Sequence, residues 1–313
     1  MTDLQWAIVA AATIVLAGVI VANMRESSRA KKTLARSIPA AQDEPIFSAP
    51  TERVLDGVLP SEISETIALL QWQQPISAAR VSQELRGWRH VGSKPLSFGW
   101  VSRAGDPPAV DAESPDVVGL QVGLLLATRS GPLHAMEFSE WQEALNKIAG
   151  NLGAQLIMPS MSDVLARARM LNQQCEEADA QLMLAVTADQ LLSSAAISSA
   201  AHSAGLESRG EARFAKGPLH HQRFSVFPGD GGVSLMLMLD IPRTVAPLEA
   251  FNEMVFTAQT LASLLDAQVT DASGRRLSES DLAQIGAQVK TKQERIEALG
   301  IAPGSTVAQR LFL

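Results

Sequence analysis

The feature that most constrains this chain is an apolar segment near its N-terminus. Residues 4–24 form a run of 21 residues without a charged side chain. An α-helix of that length spans roughly 30 Å, the hydrocarbon thickness of a bilayer. Basic residues follow at once, at Arg25, Arg29, Lys31 and Lys32. The positive-inside rule keeps such a flank in the cytoplasm, so we expect residues 1–24 to be a single transmembrane anchor with the bulk of the chain cytoplasmic.

A cleaved signal peptide is the alternative interpretation of this segment. In a signal peptide the basic residues precede the apolar stretch, which is shorter and ends at a small-residue cleavage site. Here the basic residues follow the apolar stretch, and the stretch is long. The pattern therefore favours an anchor.

The net charge and the absence of catalytic motifs argue against several classes of function. The formal net charge of -7 argues against a nucleic-acid-binding surface, which needs a basic stripe. Cys175 is the single cysteine, so no internal disulfide can form. The sequence contains no nucleophile elbow, phosphate-binding loop, dinucleotide fingerprint or zinc-protease motif. We therefore predict that the protein is not an enzyme, has no metal site, needs no cofactor and takes no small-molecule substrate.

After a mixed, non-periodic stretch at 25–57, interpreted as a flexible linker, the chain repeats its own pattern. The apolar run GLQVGLLLA at 119–127 resembles VSLMLMLDI at 233–241, and each precedes an amphipathic helix. Pro132 and Pro247, at corresponding places after the two runs, are 115 residues apart. The pattern predicts two tandem domains at 58–175 and 176–300. For the tail at 301–313, both disorder and docking on a sheet edge stay open.

The second repeat predicts an α+β domain. Its elements follow in the order strand, helix, strands, helix, strand, helix. The turn PGDGG at 228–232 predicts a hairpin between 220–227 and 233–241. Pro247 suits the first position of the next helix, and Ser278 with Asp281 suits the N-terminus of the last one. We expect an antiparallel sheet with helices on one face, which leaves the other face open.

Strand alternation suggests which residues lie on that open face. Leu235, Leu237 and Leu239 share one parity and suit the core, whereas the intervening methionines point the other way. Exposed methionines form an adaptable surface for a peptide. The predicted partner-binding residues are Met183, Ala185, Ser225, Phe227, Met236 and Met238.

Two alternatives remain open for this surface. Both sets of side chains are apolar, so parity alone does not decide which face is open. The methionines could also fill the core or be covered by the other domain. In the first repeat Gln121 and Gly123 stand at the positions of Met236 and Met238. We therefore expect the first domain to be a spacer or to bind something else.

The anchor and the second repeat together resemble the ZipA family of bacterial cell-division proteins. The resemblance rests on VSLMLMLDIP, on the helix PLEAFNEMVFTAQTLASLLDAQV and on the following DASGRRLSESDLAQIGAQV. It implies a split β-α-β fold, repeated here in tandem, whose exposed sheet face binds the C-terminal tail of FtsZ. This chain departs from the family in its short linker and in its apparent second domain.

The resemblance implies a cell-division adaptor. It would tether the Z ring to the bacterial inner membrane during septum assembly, with its N-terminus in the periplasm. The alternative is a membrane-tethered module that binds a different cytoplasmic protein or peptide, or a lipid headgroup.

Overall fold

In the computed structural model, which describes residues 59–101 and 117–313, the chain forms two antiparallel sheets with helices packed against them. The helices are α1 Ala78–Glu84, α2 Ala135–Leu152, α3 Met161–Ala178, α4 Ser194–Ser203, α5 Pro247–Leu264, α6 Glu279–Ala298 and α7 Thr306–Leu311. The strands of the first half are β1 Glu65–Ile76, β2 His90–Val91, β3 Lys94–Val101, β4 Val117–Leu125, β5 Ala127–Thr128, β6 Gly131–Pro132 and β7 Gln155–Ile157. Those of the second half are β8 Gln181–Ala188, β9 Glu207–Ser208, β10 Phe214–Lys216, β11 Phe224–Pro228, β12 Ser234–Asp240 and β13 Ala267–Thr270.

The two main sheets have the same strand path. The first has the order β7-β1-β4-β3-β2, and the second has the order β13-β8-β12-β11-β10-β9. In the first sheet β1 lies between β7, which follows the long helix α2, and β4, which precedes that helix. In the second sheet β8 lies in the same way between β13, which follows α5, and β12, which precedes it. The α+β class with antiparallel sheets is confirmed. The division into domains at 58–175 and 176–300 stays a prediction. The predicted boundary between residues 175 and 176 lies inside α3.

Local signals place the elements of the second sheet. Pro247 is the first residue of α5, where its missing N–H leaves no helical bond unmade. The Ser278 hydroxyl accepts a hydrogen bond from the Asp281 N–H at 3.2 Å, and the Asp281 carboxylate accepts one from the Ser278 N–H at 2.9 Å. This reciprocal pair begins α6 as predicted. The hairpin is also confirmed, except that its first strand begins at Phe224, because Leu219–His221 forms a 3-10 turn.

The core of the second sheet lies between helix α5 and the face of β12 that carries the leucines. Leu235, Leu237 and Leu239 have no exposed surface, and neither do Met254 and Leu261 of α5. Helix α5 contacts both β8 and β12. The interior of the second half therefore lies between the sheet and α5, and the methionines of β12 lie on the opposite face of the sheet.

The tail is ordered. Residues from Ile301 onward include the short helix α7, which buries Ala308 and Leu311, and Phe312 directly after the helix is also buried. This helix contacts β5 of the first half, and the Arg243 side chain donates to Gln309 at 2.9 Å. The tail therefore packs where the two halves meet.

The predicted anchor at 1–24 and linker at 25–57 lie outside the described residues. Within the described part of the chain, no helix is both long and apolar enough to cross a bilayer.

Candidate functional site

The six predicted partner-binding residues lie on one face of the second sheet. Register places Ser225 opposite Met238, and Met238 opposite Met183. In the neighbouring row Phe227 lies opposite Met236, and Met236 opposite Ala185. Directly opposite residues in an antiparallel pair have Cβ atoms about 5 Å apart, so the two rows form one continuous patch. We call these six residues the methionine face.

The methionine face is separate from the hydrophobic core. None of its six residues belongs to the buried cluster that contains the leucines of β12 and the inner side of α5. Among the described helices, α5 packs closely on β8 and β12, and the leucine side faces it. The structure thus shows that the leucine side of the sheet faces the core, which the alternation in the sequence left open.

The face is less exposed than alternation alone predicted. Met183, Met236, Met238, Ser225 and Phe227 are each half-buried. Ala185 is 3% exposed, because its short side chain lies on a central strand between larger neighbours. Ala185 therefore forms the floor of the patch, and a partner would contact the surrounding methionines and Phe227.

The corresponding face of the first sheet has different chemistry. Gln121 lies between Leu69 and Gly99, where the second sheet has Met236 between Ala185 and Phe227. One row along, Gly123 lies between Ile67 and Ser97. At these positions the first sheet has neither a methionine nor a phenylalanine, and its apolar residues on this face are Ile67 and Leu69.

Segments of the chain itself cover part of that first face. A Cβ built on Gly99 would lie 3.0 Å from Cδ of Pro60 and 3.4 Å from Leu59, so the segment before β1 runs over the glycine. Nearby, Glu65 has no exposed surface. Its carboxylate accepts hydrogen bonds from Ser97 and from the Ser61 N–H. Gly123 leaves the space for this cluster.

Arg129 joins the two halves beside the methionine face. It follows β5 in the first half and donates to Asp179 at 2.6 and 2.9 Å and to Asp240 at 2.7 and 2.9 Å. Its guanidinium also lies 5.8 Å from the ring centre of Phe312. Burial opposes the charge, but the two carboxylates outweigh it and hold the pKa of Arg129 above its ordinary value. This cluster sets the position of Asp240 at the end of β12.

A polar cavity of about 230 Å³ adjoins the methionine face at this end. Its lining residues come from the segment before β11, from β11 and β12, from the turn after β12 and from the tail. They are Leu219, Gln222, Arg223, Phe224, Ser225, Met238, Asp240, Arg243, Thr244 and Gln309. Ser225 and Met238 belong to both the cavity and the methionine face, so the two form one continuous surface.

Sequence reasoning missed several polar members of this cavity. Arg223, Arg243 and Gln309 are far apart in the chain and carry no motif. The tail helix brings Gln309 to Arg243. No local pattern could have identified them, because tertiary packing creates the cavity.

The remaining candidate for chemistry is Cys175, which is buried in α3. Burial, followed by the nearby charges of Asp179 and Glu176, raises the pKa of its thiol to about 12. A protonated, buried thiol is a poor nucleophile. Within residues 59–101 and 117–313, no three His, Cys, Asp or Glu side chains are grouped to hold a metal ion.

One comparison with known proteins identifies this region. Residues 213–288 match the family model described as ZipA, C-terminal FtsZ-binding domain. The matched segment runs from β10 into α6 and contains four of the six methionine-face residues. The resemblance seen in the sequence is thereby confirmed. No curated protein matches the chain significantly.

Proposed function

We propose that this chain is a cell-division adaptor that binds the C-terminal tail of FtsZ on the methionine face. Strands β10 to β13 of its second sheet lie in the region that matches the ZipA C-terminal FtsZ-binding domain. The observation that carries the proposal is the position of this face inside and beside the family match, on the side of the sheet away from the core. Half-buried methionines and a phenylalanine offer an adaptable apolar floor for an extended or helical peptide.

The first sheet acts in this proposal as a support. Its corresponding face presents Gln121 and glycines and is partly covered by Leu59 and Pro60. Ile67 and Leu69 are apolar residues of that face, but Gln121, Gly123 and Gly99 stand where the second sheet has Met236, Met238 and Phe227. We propose that the repeat arose by duplication, with domains at 58–175 and 176–300, because the two sheets share one strand path.

The proposal also places the protein at the bacterial inner membrane. Its support is the uncharged run at 4–24 with its basic flank. We propose that residues 1–24 anchor the chain with the N-terminus in the periplasm, and that 25–57 link the anchor to the cytoplasmic domains. The protein would thereby tether the Z ring to the membrane during septum assembly, without an enzymatic step of its own.

A matched pair of variants tests the binding site. Met236→Lys places a charge in the methionine face, and Gln121→Lys places the same charge at the corresponding position of the first sheet. Covering an unpaired charge with an apolar peptide costs on the order of 2 kcal/mol, about 30-fold in affinity. We expect calorimetric titration with an FtsZ tail peptide to show this loss for Met236→Lys and no change for Gln121→Lys.

The alternative partner is tested in the same experiment. Unrelated peptides of equal length should not bind the unaltered chain. Equal affinity for the FtsZ tail and the unrelated peptides, or equal losses in the two lysine variants, would contradict the proposal. Circular dichroism of both variants confirms that the domain remains folded.

A further inference from the structure

The polar cavity beside the methionine face has no role in the apolar contact described above. It opens where β11 begins and β12 ends, and Arg243 and Gln309 form the side that the turn and the tail contribute. A peptide that crosses Met238 would reach the cavity without leaving the surface, because Met238 lines both.

The charges around the cavity leave one cation without a carboxylate partner. Asp240 is already bound by Arg129 and accepts a further hydrogen bond from Gln181 at 3.1 Å. Arg223 is paired with Glu253 at 2.7 Å. The Arg243 guanidinium donates to the neutral Gln309 at 2.9 Å and forms no ion pair with any carboxylate of the described residues.

A second group in the lining also lacks a partner. The hydroxyl oxygen of Ser225 is buried and makes no hydrogen bond within the part of the chain that the structure describes. Buried hydroxyl groups are normally paired, and an unpaired one is unfavourable. A ligand atom that accepts a hydrogen bond here would satisfy it.

We propose that this cavity is a subsite for a carboxylate of the peptide bound on the methionine face. Arg243 supplies the positive charge and the Ser225 hydroxyl supplies a hydrogen bond. Arginine suits a carboxylate because its planar guanidinium can donate two parallel hydrogen bonds. The carboxylate is either an acidic side chain or the C-terminal carboxyl group of the peptide. The inference rests on the proposed function.

A double-mutant cycle in the intact chain tests the subsite. The probes are the FtsZ tail peptide, versions in which each Asp or Glu is replaced singly by Asn or Gln, and a version with an amidated C-terminus. Arg243→Gln should weaken the unaltered peptide roughly tenfold, the usual size for a hydrogen bond to a charged group. For one of the neutralised peptides, the same variant should change affinity less than about twofold, and that peptide identifies the carboxylate.

Two further variants keep the result interpretable. Arg213→Gln removes the same charge at an exposed position of the same unit and should leave every affinity unchanged. Ser225→Ala should weaken the unaltered peptide several-fold and the identified neutral peptide not at all. If Arg243→Gln does not fold, the Ser225→Ala cycle decides the question.

The outcomes separate the two proposals. Equal effects of Arg243→Gln on all peptides, or no effect on any, would overturn the subsite while leaving the methionine face intact. Failure of the unaltered chain to bind the FtsZ tail at all would overturn the proposed function, and the subsite with it.

Discussion

The guanidinium of Arg310, in the tail helix α7, lies 2.7 Å from the carboxylate of Glu65 at the start of the first sheet. Glu65 has no exposed surface, and Arg310 is 14% exposed. The same arginine contacts the carbonyl oxygen of Pro95 in β3. One buried ion pair thus fastens the tail to the first half, while Arg129 fastens the first half to the second sheet.

We predict that Arg310→Ala destabilises the protein by roughly 3 kcal/mol. Removing one partner of a buried pair leaves an uncompensated charge, here the carboxylate of Glu65. Equilibrium unfolding in urea measures the change. Lys290→Ala, which breaks an exposed pair with Glu294, is the control and should cost less than about 1 kcal/mol. Equal losses in the two variants would mean that the Arg310–Glu65 pair is not buried.

The stability of the first half should depend on the ionisation of Glu137. Burial alone would raise the pKa of this carboxyl, but hydrogen bonds from the His134 and Ser93 backbone and from the Ser93 hydroxyl outweigh it. Together with the charge of Lys94, they hold the pKa below its ordinary value of 4.5. The ionised form therefore adds stability above that ordinary value, and this contribution is lost as pH falls through the lowered folded pKa.

Glu137→Gln tests this dependence. We expect the variant to be less stable than the parent at about pH 7, with the difference shrinking as the pH falls below 4.5. Thermal unfolding across this range measures it. Glu140→Gln, exposed on the same helix, controls for the loss of one negative charge. A difference for Glu137→Gln that stays constant with pH would show that the contribution does not arise from ionisation.

The thiol of Cys175 should be unreactive in the folded protein. Burial and the neighbouring carboxylates raise its pKa to about 12, so almost no thiolate exists near neutral pH. Alkylation with iodoacetamide, followed by mass spectrometry, should be slow in native buffer and fast after unfolding in guanidinium chloride. Rapid native alkylation would indicate that α3 opens locally.

The alternation within β12 was predictable because a sheet with one covered face imposes a period of two on its strands. Leucines fill the side toward α5, and methionines occupy the other. The start of α6 was predictable for a similarly local reason, because Ser278 and Asp281 satisfy each other's backbone groups. Such features depend on residues a few positions apart.

The cavity and the two inter-half clusters depend on long-range packing and were not predictable. Glu65 and Arg310 are far apart in the sequence, and only the fold brings them together. Arg129 is likewise distant in the sequence from Asp179 and Asp240, which converge on it in the fold. The low exposure of Ala185 has the same origin, because it depends on which side chains flank it across the sheet.

Methyl resonances of selectively labelled methionines test the central claim most directly. The chain has ten methionines, and Met183, Met236 and Met238 lie on the methionine face. Met136 and Met170 are exposed in the first half, at 74% and 59%. When the FtsZ tail peptide is added, the account predicts that the three face methyls shift and that those of Met136 and Met170 do not. Unchanged methyls at Met183, Met236 and Met238 in the presence of bound peptide would contradict it.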